Sequence, residues 1–100
     1  MSSYNIDLQD GILRVKFGEP AQNDQIVKDA AARLEELYQA GQLHGELLKI
    51  NGPTSIPVAF VIAHKLAHLY GAIGLFDPKL DKYVISITHN PDYKLGDLID

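Results

Sequence analysis

Between Leu47 and Lys79 the chain reads as strand, turn, helix and strand, and few folds accommodate that order in so short a run. Leu47 to Ile50 is a short apolar run. Asn51-Gly52-Pro53 is turn chemistry, with Gly supplying unusual φ and Pro a fixed one. Thr54 or Ser55 then offers an N-cap, and Pro57 falls in the first helical turn, where its missing N–H costs little. The helix that follows is apolar almost all round; His64, Lys65 and His68 are its strongly polar members. Gly71 is expected to end it, and Ala72 to Phe76 reads as a buried strand. A strand–helix–strand unit of this length implies a right-handed parallel crossover.

Such a unit has two chemically different ends. Ligands collect at the carboxyl ends of the strands, where the helix N-terminus offers unpaired N–H groups and a partial positive charge. Asn51, Gly52, Thr54, Ser55, Asp77 and Lys79 belong to that end, and the two helix histidines belong to the other. A helix of about fifteen residues spans roughly 22 Å. His68 and Asp77 of one chain therefore cannot share a reaction centre, and if both do chemistry two molecules must meet face to face.

The remaining sequence completes one domain over residues 1–100. Tyr4-Asn-Ile-Asp-Leu and Ile12-Leu-Arg-Val-Lys-Phe17 alternate apolar and polar, and Gln9-Asp10-Gly11 between them is a hairpin turn. Met1 to Ser3 should be loose. Asn23 or Asp24 is the expected N-cap of an amphipathic helix with Ile26, Val27, Ala30, Ala31, Leu34, Leu37 and Tyr38 on its apolar side, closed by Gly41. Tyr83-Val-Ile-Ser-Ile-Thr-His89 is a strand by its β-branched content, expected to return antiparallel beside Ala72–Phe76. Asn90-Pro91 breaks it, and Asp92 onward is a tail anchored by Tyr93, Leu95, Leu98 and Ile99. The predicted fold is α/β: a compact mixed five-stranded sheet in the order β-β-α-β-α-β-β with two helices, Rossmann-like or ferredoxin-like. Two helices can cover one sheet face fully or both thinly. The excess apolar surface of the second helix, with Tyr70, suggests burial against another subunit in a two-fold dimer.

Composition narrows the partners. The chain has no cysteine, which excludes disulfides and thiolate metal sites. It shows no signal-peptide pattern and no apolar run able to span a bilayer, so a cytoplasmic protein without membrane partners is expected. Net charge is −4, from 9 Lys plus Arg against 13 Asp plus Glu. No basic stripe is visible, which argues against duplex DNA and leaves short oligonucleotides open.

The residues that carry chemistry are few. His64 and His68 stand at i, i+4, a spacing that can chelate a transition metal, but Lys65 replaces the glutamate a zinc protease needs after its first histidine. A helix-end histidine favoured by the dipole accounts for either one equally well. His89, if its strand runs as expected, joins them at one end, with His44 and Glu46 nearby. Asp77 at a strand's carboxyl end suits a divalent cation or a ribose hydroxyl, and caps an Asp-Pro-Lys turn just as readily. Lys79 suits a phosphate or solvent; Thr54 and Ser55 suit phosphate or the helix cap.

The series Lys49-Ile-Asn-Gly-Pro-Thr-Ser-Ile-Pro, Ala63-His-Lys-Leu-Ala-His-Leu-Tyr-Gly, Phe76-Asp-Pro-Lys-Leu, Tyr83-Val-Ile-Ser-Ile-Thr-His and Gly96-Asp-Leu-Ile resembles the small CRISPR-associated ring nucleases of type III systems, the Csx-three group. That group is distantly related to the CRISPR-associated Rossmann fold superfamily, and the resemblance covers the whole length. It implies a homodimer that binds cyclic tetra-adenylate or an RNA tetranucleotide, stacks to a tetramer around it, and cleaves it with Mn²⁺. Carried over by motif, it implies His68 and Asp77 as catalytic residues. Asn51, Gly52, Pro53, Ser55 and Lys79 become ligand-facing residues, and His64, His89 and Asp77 become metal or support residues. The alternatives are a sensor module that binds the same nucleotide without cleaving it, and a plain dimeric scaffold.

Overall fold

A computed structural model describes residues 2–100. The chain runs β1 (Tyr4–Gln9), β2 (Ile12–Phe17), α1 (Asn23–Gln39), β3 (Gly45–Asn51), α2 (Ile56–Leu66), β4 (Tyr70–Asp77), β5 (Lys82–Thr88) and β6 (Leu98–Ile99). The sheet therefore has six strands and not five. The sixth escaped because two residues are too short for an alternation signal. Leu98 is exposed beside its strand partner Val84, and Leu95 is 70% exposed, so neither anchors the tail as expected. Met1, the first residue of the segment expected to be loose, lies outside the described residues.

Strand order is sequential, β1 to β6, with β2–β3 and β3–β4 parallel and the other pairs antiparallel. The reversal of strand order that marks a doubly wound sheet is absent among the described residues. Two successive crossovers that advance in the same direction with the same hand must place both helices on one face. α1 and α2 do pack on each other, and Leu34, Val58 and Leu66 share a core with Leu13, Leu48 and Ile73. Among the described residues the opposite face carries no helix. Tyr83 and Ile85 are buried there, apart from the main core.

Local chemistry explains most boundaries. Asp10 and Gly11 both take positive φ (53° and 77°), the geometry a two-residue hairpin needs to match strand twist. α1 ends in a Schellman motif: Gly41, at φ 75°, donates to the Tyr38 carbonyl and Gln42 to that of Leu37. At its start Gln22, not Asn23 or Asp24, takes the cap position, and no side chain caps the helix. Gly71 does not end α2, which stops at Leu66; it lies inside β4. Its lack of a side chain serves sheet packing, because a Cβ there would stand 2.8 Å from the Glu46 carbonyl oxygen. Arg33 reaches round the edge of the sheet, and its Nε donates to the Ile6 carbonyl at 2.9 Å. That contact occupies part of the open ladder of β1, where a second chain would otherwise pair.

The N-terminal segment is held at Ser3, contrary to the expectation that it would be loose. Ser3 is buried, and its N–H and Oγ–H donate to Asp29 Oδ2 at 3.0 and 2.6 Å, while Gln25 Nε2 donates to Oδ1. These bonds, the Ser3 hydroxyl first, hold the Asp29 carboxyl below its ordinary value of 3.8. A carboxylate whose folded pKa is depressed stabilises the fold above its unfolded pKa and loses that contribution as pH falls through the folded value. Thermal unfolding from roughly pH 6 down to pH 2 should therefore show Asp29→Asn less stable than the native chain near neutrality, with the two curves converging below pH 3.8. A constant offset through the acid range would rule the clamp out.

Candidate functional site

One end of the sheet carries the histidines. His68 lies in the turn that follows α2, closed by the Leu69 N–H on the Leu66 carbonyl at 3.0 Å. His89 follows β5 and donates its backbone N–H to the Gly71 carbonyl at 2.7 Å, which fixes it beside that turn. The two imidazoles stack, with centroids 4.9 Å apart and planes 25° from parallel. His89 Nε2 lies 3.0 Å from the Ala67 carbonyl oxygen. A carbonyl can only accept, so Nε2–H is the donor in this contact. His44 precedes β3 at the same end, because Gly45 donates to the Leu69 carbonyl. All four histidines are exposed. The i, i+4 pair foreseen on one helical face is not formed, because His68 falls outside the helix and pairs with His89 instead.

The other end carries Asp77 and the loops. β4 separates them: seven steps of about 3.3 Å from Tyr70 to Asp77 give roughly 23 Å. The separation expected from a long α2 is therefore supplied by the strand, α2 itself having only 11 residues. Asp77 Oδ1 accepts from the backbone N–H of Lys79 and Leu80 at 2.9 and 3.3 Å, which caps the turn into β5; among the described residues nothing bonds Oδ2. Lys79 is exposed. Asn51 Nδ2 donates to the Tyr83 hydroxyl at 3.1 Å, across the helix-free face. A Cβ on Gly52 would meet the Val15 carbonyl oxygen at 1.8 Å. The Pro53 carbonyl accepts from Tyr4 Oη at 2.7 Å. Ser55 Oγ caps α2 by accepting from Val58 N–H at 3.4 Å and donates to Asn23 Oδ1 at 2.8 Å. This last bond explains why Asn23 does not cap α1.

Sequence reasoning missed three members of this end. Lys82 stands directly opposite Asp77 in the β4–β5 register, and its ammonium pairs with Asp100, which raises the lysine's pKa and lowers that of the acid. Lys49 places its Nζ 5.4 Å from the Tyr83 ring centroid, and Phe76 meets the same ring edge-on at 5.2 Å. A four-residue turn between paired strand ends was signal enough for Lys82. Lys49 and Tyr83 had none, because their meeting depends on which strands are neighbours.

The expected metal set of His64, His89 and Asp77 is not assembled within one chain. Among the described residues no three His, Asp or Glu side chains come together closely enough to hold a cation. The physical reason is the length of β4, which keeps the carboxylate at one end and the imidazoles at the other. Mn²⁺ favours oxygen ligands, and the histidine end offers two stacked imidazoles. One chain alone therefore does not fit manganese.

Between α2 and the sheet lies a cavity of about 220 Å³, lined mainly by apolar side chains including Ile62, Leu66, Ile73, Leu75, Phe76 and Ile87. On the outer side of α2, Ile56 and Phe60 are 76% and 73% exposed, one helical turn apart. No helix among the described residues is long and apolar enough to cross a membrane.

Fold and site together define a single mixed-sheet α/β unit with an imidazole pair at one pole and polar loops at the other. Residues 25–100 match the family described as CRISPR-associated protein (Cas_csx3), and the chain belongs to that family. Neither a curated protein nor a solved structure matches it significantly.

Proposed function

We propose that the chain is a ring nuclease: a phosphodiesterase that binds cyclic tetra-adenylate or a short RNA tetranucleotide and cleaves it in CRISPR antiviral signalling. The observation that carries this reading is that β4, roughly 23 Å from Tyr70 to Asp77, separates the His68–His89 pair from Asp77. Both poles hold groups suited to phosphodiester chemistry, and neither is complete alone. His68 of one molecule acts as general base for a ribose 2′-hydroxyl, or as general acid for the leaving oxygen. Asp77 of another molecule supplies the second group. The ligand lies between them, so two-fold dimers stack into a tetramer around it. Exposed Ile56 and Phe60 give α2 an apolar face for the dimer itself. Manganese dependence, implied by the resemblance, requires ligands from a second copy.

A non-cleaving sensor of the same nucleotide is the second reading, favoured by the lack of a three-ligand cluster among the described residues. One experiment separates them. The purified protein is incubated with labelled cyclic tetra-adenylate, with added Mn²⁺ or with a chelator, and the products are resolved. Linear fragments that appear with protein and not without it are the expected result. Tight binding without fragments under every condition supports the sensor, and absence of binding removes both readings.

A further inference from the structure

The family match begins at Gln25, yet two side-chain tethers on the loop from Asn51 to Ser55, those of Pro53 and Ser55 to Tyr4 and Asn23, come from the chain before it. Tyr4 Oη donates to the Pro53 carbonyl at 2.7 Å, across 49 residues of sequence. Asn23 Oδ1 accepts from Ser55 Oγ at 2.8 Å, and the Val15 backbone abuts Gly52 so closely that no side chain fits there. We infer that Tyr4 is a positioning residue: its hydroxyl holds the Asn51–Ser55 loop in its ligand-ready form, so the β1–β2 hairpin is a working part of the site. This rests on the nucleotide-binding reading of that loop.

The geometry singles out Tyr4. Its ring is wholly buried and meets Phe17 edge-on at 5.3 Å, so the phenol has one direction in which to point. Burial pushes the phenol's pKa up, which keeps the proton on the oxygen and the donor available throughout the working range. Pro53, by contrast, is exposed and lies in a segment with no ladder bonds of its own. A loop of this kind samples many conformations unless a rigid element holds it, and binding to a loop already in place avoids the cost of ordering it. The tether passes from the buried core to an exposed residue, so its loss is felt in the loop before it is felt in the fold.

The test compares Tyr4→Phe with the native chain and with Ile6→Val, a core change on the same strand that removes no hydrogen bond to the loop. The Phe ring keeps the packing of the buried Tyr4 side chain, so Tyr4→Phe folds. Amide exchange at Gly52 and Thr54 is expected to speed up in Tyr4→Phe. Its KM and Kd for cyclic tetra-adenylate rise about fivefold, the worth of one neutral hydrogen bond, and its kcat is unchanged. Ile6→Val loses stability and moves none of these. Equal exchange rates at Gly52 and Thr54 in Tyr4→Phe and the native chain overturn the inference, as does faster exchange with unaltered affinity. A native chain that binds no tetra-adenylate overturns the nucleotide reading instead, while the exchange comparison still decides whether Tyr4 holds the loop.

Discussion

A His68→Ala protein is expected to bind cyclic tetra-adenylate nearly as well as the native chain and to cleave it about 10²- to 10⁴-fold more slowly, the usual worth of a positioned acid or base. Asp77→Ala should behave alike, although the turn into β5 also loses the acceptor for Lys79 and Leu80. The decisive result is the mixture. Because β4 keeps the two groups of one chain apart, a composite site takes its imidazole from one molecule and its carboxylate from another. Equal amounts of the two inactive proteins, randomly paired, then regain up to about one quarter of native activity. Two folded, ligand-competent variants that stay inactive in every proportion would show that the poles do not cooperate across molecules.

The largest effect on stability is expected at Gly52. Its φ of 138° lies outside the range that side chains adopt comfortably, and an added Cβ would stand 1.8 Å from the Val15 carbonyl oxygen and 2.8 Å from the carbonyl carbon. Both atoms belong to the backbone of β2, so relief requires moving β2 away from the end of β3. Gly52→Ala should therefore cost about 3 to 5 kcal/mol. That is a large share of the roughly 5 to 15 kcal/mol available to a domain of this size. Gly11→Ala is the comparison: its φ is also positive, at 77°, but nothing lies within 4 Å of the added atom. It should cost only about 1 kcal/mol. Urea unfolding of the pair measures the difference directly, and equal losses would mean that Val15 does not approach Gly52 as described.

The elements whose signals are local were legible in the sequence. The Asp10-Gly11 hairpin, α1 with its Gly41 stop, the Ser55 cap of α2 with Pro57 in its first turn, and the antiparallel return of β5 all follow from residues within a few positions of one another. Gly71 has the sequence signature of a helix stop, because glycine after an apolar helix usually is one. Its actual constraint, the Glu46 carbonyl, comes from a neighbouring strand. The sequence overstates the length of α2 for the same reason, since apolar residues continue from the helix into β4. Hydrophobicity alone suggests anchors at Leu95 and Leu98, and both are exposed.

The site divides along the same line. Residue types and their chain positions were enough to place imidazoles at one pole and Asp77 with Lys79 at the other, because parallel strands joined by a helix must present like ends together. Sequence alone also determined the family, since residues 25–100 carry its pattern. Only the tertiary structure decided that His68 stacks on His89 and not with His64, that Asn51 reaches Tyr83, and that Tyr4 holds Pro53. Each of those contacts joins residues 21 to 49 positions apart, where the partner is chosen by strand order and by which sheet face a side chain occupies. A period of two or 3.6 residues states which way a side chain points, but the neighbour it meets is set by packing across the sheet.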